Sequence, residues 1–245
     1  MNKNIKAELF RLTHSGSIFR IYIVCGLLTA VLPVVILPDS MNQDLLTTVA
    51  EISEQLCMYI PLLIGTLIGI MASKYYHCRL YYYEIMDGAG IHRIILSKMA
   101  VYGIVSLAVI IPSLVIFAIA GVRGGVGEMK SPLLFGLIYA VIVFHIVIKI
   151  TLYSMLIRNL IGGSLIAYAL AIVEIMGFSL ITELELMKTA TANRIFQWVP
   201  SIQLMLIPQA EYSADYIIAV FGSLILGTAV LYSLVYTIYK KRLFR

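Results

Sequence analysis

Six long apolar runs, separated by polar stretches that alternate in positive charge, constrain this chain more than any other feature. The runs cover residues 19–37, 56–72, 99–120, 133–156, 161–181 and 216–239. Each holds roughly 17 to 25 residues, enough for a helix to cross about 30 Å of hydrocarbon. Of the 18 lysines and arginines, thirteen fall on the first, third, fifth and seventh polar stretches. The second, fourth and sixth hold only Arg123, Lys130, Lys188 and Arg194, and Lys149 lies inside a run. Basic flanks stay in the cytoplasm, so both termini are predicted inside. Asp39, Asp44, Glu51, Glu54, Glu183, Glu185, Glu211 and Asp215 collect on the predicted outer side. The fold expected is an all-α membrane protein with six transmembrane helices, forming a single domain over residues 1–245.

Composition excludes the plain alternative. Charged residues make up 13% of the chain and hydrophobic ones 61%, with a mean hydropathy of +0.96. A soluble domain carries about twice that charge, roughly 25%, and one soluble core does not hold six runs of this length. The net charge of +5 reflects orientation and lipid headgroups, so no nucleic-acid partner is expected. Cys25, Cys57 and Cys78 fall at depths that make neither a disulfide framework nor a metal site, and read as small apolar residues. The first run resembles a signal peptide in its basic lead, but it is long and no A-x-A site follows, so it reads as an uncleaved helix.

Along the chain, residues 1–16 form an interfacial segment. Ile5, Leu9 and Leu12 recur at helical spacing while Lys3, Lys6 and Arg11 face elsewhere, which suits a helix in the cytoplasmic headgroup layer; the plainer alternative is a frayed basic tail. Gly65 and Gly69 have the G-x-x-x-G spacing that allows close helix approach, a weak signal in an apolar helix. Residues 73–98 are the longest cytoplasmic stretch between runs. Tyr75, Tyr76, Tyr81, Tyr82 and Tyr83 suit the interface, and Asp87-Gly88-Ala89-Gly90 is a turn signal, so a short helix projecting below the membrane is expected there. The outer loop 121–131 is glycine-rich but lacks the G-x-x-x-x-G-K-[ST] pattern and reads as a connector. Residues 157–160 make a tight turn, so the fourth and fifth runs form an antiparallel hairpin. The outer region 182–215 contains an apolar stretch too short to span, broken by Pro200 and Pro208, which predicts non-spanning helices that dip into or lie on the outer leaflet.

Ionisable groups within apolar runs are the usual pointers to function in a membrane protein. Here they are His145 and Lys149, spaced i, i+4 on one helix face, and Glu174 on the next run. At 1.5 Å per residue, His145 lies roughly 18 Å and Glu174 roughly 20 Å from the hairpin turn, so these two can meet at one depth with Lys149 joining or snorkelling. Such a contact lines a substrate path or, more plainly, pairs two helices. Enzyme constellations are missing: there is no H-E-x-x-H, no G-x-S-x-G and no histidine–cysteine cluster at ligand spacing. His14, His77 and His92 read as interfacial groups. No catalytic residue, metal site or cofactor is expected in this chain, and with no Walker A sequence any uphill movement must draw on an ion gradient or another polypeptide.

Three features together resemble a known family. They are Ile5-Lys6-Ala7-Glu8-Leu9-Phe10-Arg11-Leu12 before the first run, Gly90-Ile91-His92-Arg93 with Ser97-Lys98 leading into the third, and the non-spanning region between the fifth and sixth. The chain is similar, over nearly its whole length, to permease subunits of ABC-2 type transporters, in size and style those of peptide export or of bacteriocin and lantibiotic immunity. The resemblance implies two paired permeases, identical or homologous, in a bacterial plasma membrane, above two copies of a separate ABC ATPase that holds ATP and Mg. It implies that residues 84–93 act as a coupling helix seated on the ATPase, with Glu84, Asp87, Gly88, Gly90, His92 and Arg93 as the coupling residues. The apolar walls of the runs suit an amphipathic peptide or lipid as substrate, though every helix bundle has such walls and the sequence does not give the substrate. A gradient-driven carrier using Glu174 as proton relay, and a membrane sensor or assembly partner, are the alternatives.

Overall fold

The structure is a computed structural model, and it describes residues 3–14, 23, 61–75, 80–123, 132–157, 162–183, 197–206 and 213–243. The regular structure among them is entirely helical: α1 (Lys3–His14), α2 (Pro61–Tyr75), α3 (Leu80–Met86), α4 (Ile91–Arg123), α5 (Pro132–Leu156), α6 (Gly162–Glu183), α7 (Pro200–Leu206) and α8 (Ala214–Leu243). Among the described residues three stretches are long and apolar enough to cross a membrane: Ile91–Ile111, Leu134–Leu156 and Ala214–Lys241. The run predicted at 19–37 lies outside the described residues apart from Ile23, as do the three cysteines, His77 and the glycine-rich loop from 124 onward.

Helix α5 is the centre of the bundle. It is apolar all round, the mark of a helix covered on every side, and α4, α6, α7 and α8 all pack on it. Ile138, Tyr139, Ile142, Val143, Val147 and Ile150 are buried there. Small residues let the neighbours approach closely. A Cβ at Gly103 of α4 would overlap the Phe144 ring, and one at Gly65 of α2 would overlap Ile150, so Gly65 of the G-x-x-x-G pair lets α2 approach α5 closely. On α8 the balance is reversed: Ile218, Phe221, Ile225, Leu226, Val230 and Leu234 are exposed. A continuous apolar surface of this size needs lipid or another helix against it, which makes the chain a membrane protein.

Element ends depart from the sequence expectation in two places. Residues 91–98, predicted as part of a cytoplasmic loop, are the first two turns of α4. No Gly or Pro lies between Ile91 and Met99, and Ile94, Ile95, Lys98 and Met99 are buried, so packing extends the helix downwards. At 33 residues α4 is about 50 Å long, longer than a bilayer core, so one end stands clear of it. Likewise α8 continues through Lys240 and Lys241 instead of ending at 239. The N-terminal helix forms over Lys3–His14; within 182–215 a seven-residue helix forms as α7, while residues 184–196 and 207–212 of that region lie outside the described residues.

Candidate functional site

At the α3 end, the residues expected to couple, Glu84, Asp87, Gly88, Gly90, His92 and Arg93, cluster around the turn from α3 into α4. Helix α3 closes in a Schellman cap: Gly88 N–H donates to Ile85 O at 2.9 Å and Ala89 N–H to Glu84 O at 2.9 Å. Gly88 supplies the left-handed residue this cap requires, at φ 83°. Because nothing lies within 4 Å of a Cβ placed there, Gly88→Ala suffers backbone strain alone, about 1 kcal/mol. Hydrogen exchange at the Ala89 amide is expected to quicken in that variant, while Gly88→Asn changes it less. Met86 is 82% exposed and Tyr83 65%, with Asp87, Gly88, Gly90, His92 and Arg93 also exposed around the tip.

The root of this projection is fastened by charge and rings. Lys98 of α4, its side chain 1% exposed, lies 2.5 Å from Glu8 of α1 and 3.9 Å from Glu84 of α3. Its ammonium also sits 3.3 Å from the ring centroid of Tyr75 on α2, a cation–π geometry. Tyr102 donates to Glu8 at 3.3 Å. One buried cation thus joins four helices. On the other flank His92 hydrogen-bonds Tyr232 of α8 and stacks on Tyr236, ring centroids 4.0 Å apart. Tyr81 meets Tyr239 edge-on at 5.6 Å, and Tyr239 donates to Met155 O at 3.1 Å. Sequence reading missed Lys98 and Glu8 as a pair. Glu8 did carry a signal, because it occupies an inward position of the Ile5–Leu9–Leu12 stripe.

The second group of polar residues lies near mid-helix. Lys149 Nζ donates to Glu174 Oε1 at 2.7 Å, and Ser201 Oγ of α7 donates to Glu174 Oε2 at 2.7 Å. His145 does not meet Glu174. It is buried against α8, where a Cβ at Gly227 would lie 3.2 Å from its Nε2, and its Nδ1 has no hydrogen-bond partner among the described residues. Side-chain lean explains the exchange. Helical side chains tilt toward their own N-terminus; α5 and α6 are antiparallel, so Lys149 and Glu174 tilt toward each other and close their offset along the axis.

Helix α7 is held at this depth by side chains that the sequence analysis assigned no role. Gln203 Nε2 donates to Gln197 O at 2.6 Å, Ser223 Oγ at 3.0 Å and Ala219 O at 3.3 Å, and Tyr216 donates to Gln203 O at 3.0 Å. Glu174 is nine residues from the end of α6 and Ser223 nine from the start of α8, so α7 reaches about 14 Å below both helix ends. Trp198 packs on Gly222, where a Cβ would come within 2.6 Å of the ring. Gly222→Ala should cost about 1–3 kcal/mol by overpacking and shift the emission of Trp198, the single tryptophan; unchanged emission would mean the ring does not rest there. Among the described residues no group of three His, Cys, Asp or Glu is placed to hold a metal.

No family model matches the chain, and neither does any curated protein or solved structure.

Proposed function

We propose that this chain is the membrane-spanning permease subunit of an ATP-driven transporter of the ABC-2 type. In this reading it spans a plasma membrane six times with both termini cytoplasmic, pairs with a second permease, and exports or extracts an amphipathic peptide or lipid-like substrate. A separate ATPase, in two copies, hydrolyses ATP. One observation carries the reading: a short capped helix projects with Met86 and Tyr83 at its exposed tip, while its Glu84 meets Lys98, which also joins α1, α2 and α4, and its Tyr81 packs on Tyr239 of α8. An exposed apolar tip suits docking into a groove, and a rigid root carries a push at the tip into the bundle. Helix α1, with Phe10 and Lys6 outward, suits the headgroup layer.

The test is mild-detergent purification of the tagged chain expressed with its neighbouring genes, followed by ATPase assay and mass analysis. A stoichiometric ATPase that is lost in Met86→Asp, with the chain still folded, supports the reading. A chain that purifies alone under conditions that preserve complexes overturns it. A second reading, a gradient-driven carrier, is favoured by the part-exposed Glu174 carboxylate; proton-dependent uptake without ATP would identify it.

A further inference from the structure

The Lys149–Glu174 pair is unusual in being both central and open. Its side chains keep 18% and 28% of their surface exposed, about 14 Å from the end of α6. Lys149 has three N–H donors, and Glu174 is its one hydrogen-bond partner among the described residues. Among the described residues each Glu174 oxygen accepts one bond, and a carboxylate oxygen can accept a second. One turn further along α6, Gly177 leaves open space beside the helix: a Cβ there meets nothing within 4 Å. On the same helix Ile166, Leu170 and Val173 are exposed, an apolar track leading to the carboxylate.

We propose that Lys149, Glu174 and Ser201 form a headgroup site for a zwitterionic aminophospholipid, entered beside Gly177 with the acyl chain along Ile166, Leu170 and Val173. This deepens the permease reading by naming a lipid that would be drawn from its leaflet to mid-depth, and it rests on that reading. Charge bookkeeping selects the ligand. The pair is neutral overall, and a ligand with net charge would satisfy one member and leave the other unpaired in a low dielectric, a costly outcome. A zwitterion replaces one ion pair by two, phosphate on Lys149 and ammonium on Glu174. A primary ammonium is preferred over a quaternary one because charge-assisted hydrogen bonds to the carboxylate need N–H donors.

Trp198, three residues before Ser201, reports occupancy. The full chain in maltoside is titrated with short-chain phosphatidylethanolamine, phosphatidylcholine and phosphatidylglycerol while Trp198 emission is followed. Saturable binding of the ethanolamine lipid is expected, with the other two about tenfold or more weaker, the worth of one charge-assisted hydrogen bond. Glu174→Gln and Lys149→Met should each weaken it by a similar factor. Gly177→Leu, which leaves the ion pair intact, should fill the open space beside the carboxylate and abolish the response. Equal response to phosphatidylglycerol, unchanged affinity in Gly177→Leu, or saturation by a cationic amphipathic peptide with no lipid response would each overturn the proposal. The titration needs no ATPase, so absence of an ATPase partner would sink the permease reading while leaving this binding result intact, and the converse also holds.

Discussion

Lys98→Met is expected to be the most damaging single substitution in the described part of this chain. Methionine keeps most of the side-chain volume but removes the charge that faces Glu8, whose own side chain is 3% exposed. Breaking a buried ion pair leaves an uncompensated charge and costs about 3–5 kcal/mol. For a chain of this size that is a drop in unfolding midpoint on the order of 10 °C. The same change releases Glu84 and the ring of Tyr75, so α1 and α3 should loosen together. The control is Lys98→Met combined with Glu8→Leu. With both charges gone, stability should return close to the starting value, because a buried pair replaced by apolar groups is often neutral. A double variant no more stable than the single one would show that the cost lies elsewhere than in the orphaned carboxylate. Under the permease reading, the double variant should fold yet lose coupling between ATP hydrolysis and transport, since α3 is no longer tied to α4 through Lys98.

Glu174→Ala should be the next largest. It strips Lys149 of its counter-charge and Ser201 of its acceptor in one step. The part exposure of both charges lets solvent or headgroups screen them, so the expected loss is about 2–3 kcal/mol, below the fully buried case. The loss should be local at first: α7 loses its tie to α6 while Gln203 still holds it to α8. Trp198 emission should therefore shift at temperatures below the main unfolding transition. A single transition with both probes coincident would contradict the latch role of Glu174. The charge-reversed pair Lys149→Glu with Glu174→Lys restores attraction but not the Ser201 acceptor, and should recover only part of the loss.

Much of the molecule's local structure was legible from residue spacing. The amphipathic α1 follows from the Ile5–Leu9–Leu12 stripe, and the turn after α3 from Asp87-Gly88-Ala89-Gly90, because a Schellman cap needs a glycine-like residue at positive φ. A short helix between α6 and α8 was legible from an apolar stretch too small to span, but Pro200, read as a breaker within that stretch, is where the helix starts, as suits a residue with no N–H to lose at a first helical position. These are properties a segment carries by itself: periodicity, backbone restriction and length against bilayer thickness.

Partner choice was not legible in the same way. His145 and Glu174 stand at nearly equal distance from the hairpin turn, and equal depth pointed to their meeting. Rotation about the helix axis and side-chain lean chose Lys149 instead and turned His145 toward Gly227. Lys98, read as a lysine opening a span, became the joint of four helices because α1 and α3 were folded back against it. Ser201 and Gln203 acquired roles only once α7 entered the bundle. The chain by itself thus determined that it is helical, apolar and polarised in charge, since each follows from composition and period within one segment. Which polar groups find one another, and so where this protein can couple or bind, was decided by tertiary packing, because a pairwise contact depends on the relative rotation and offset of two helices, which neither helix encodes alone.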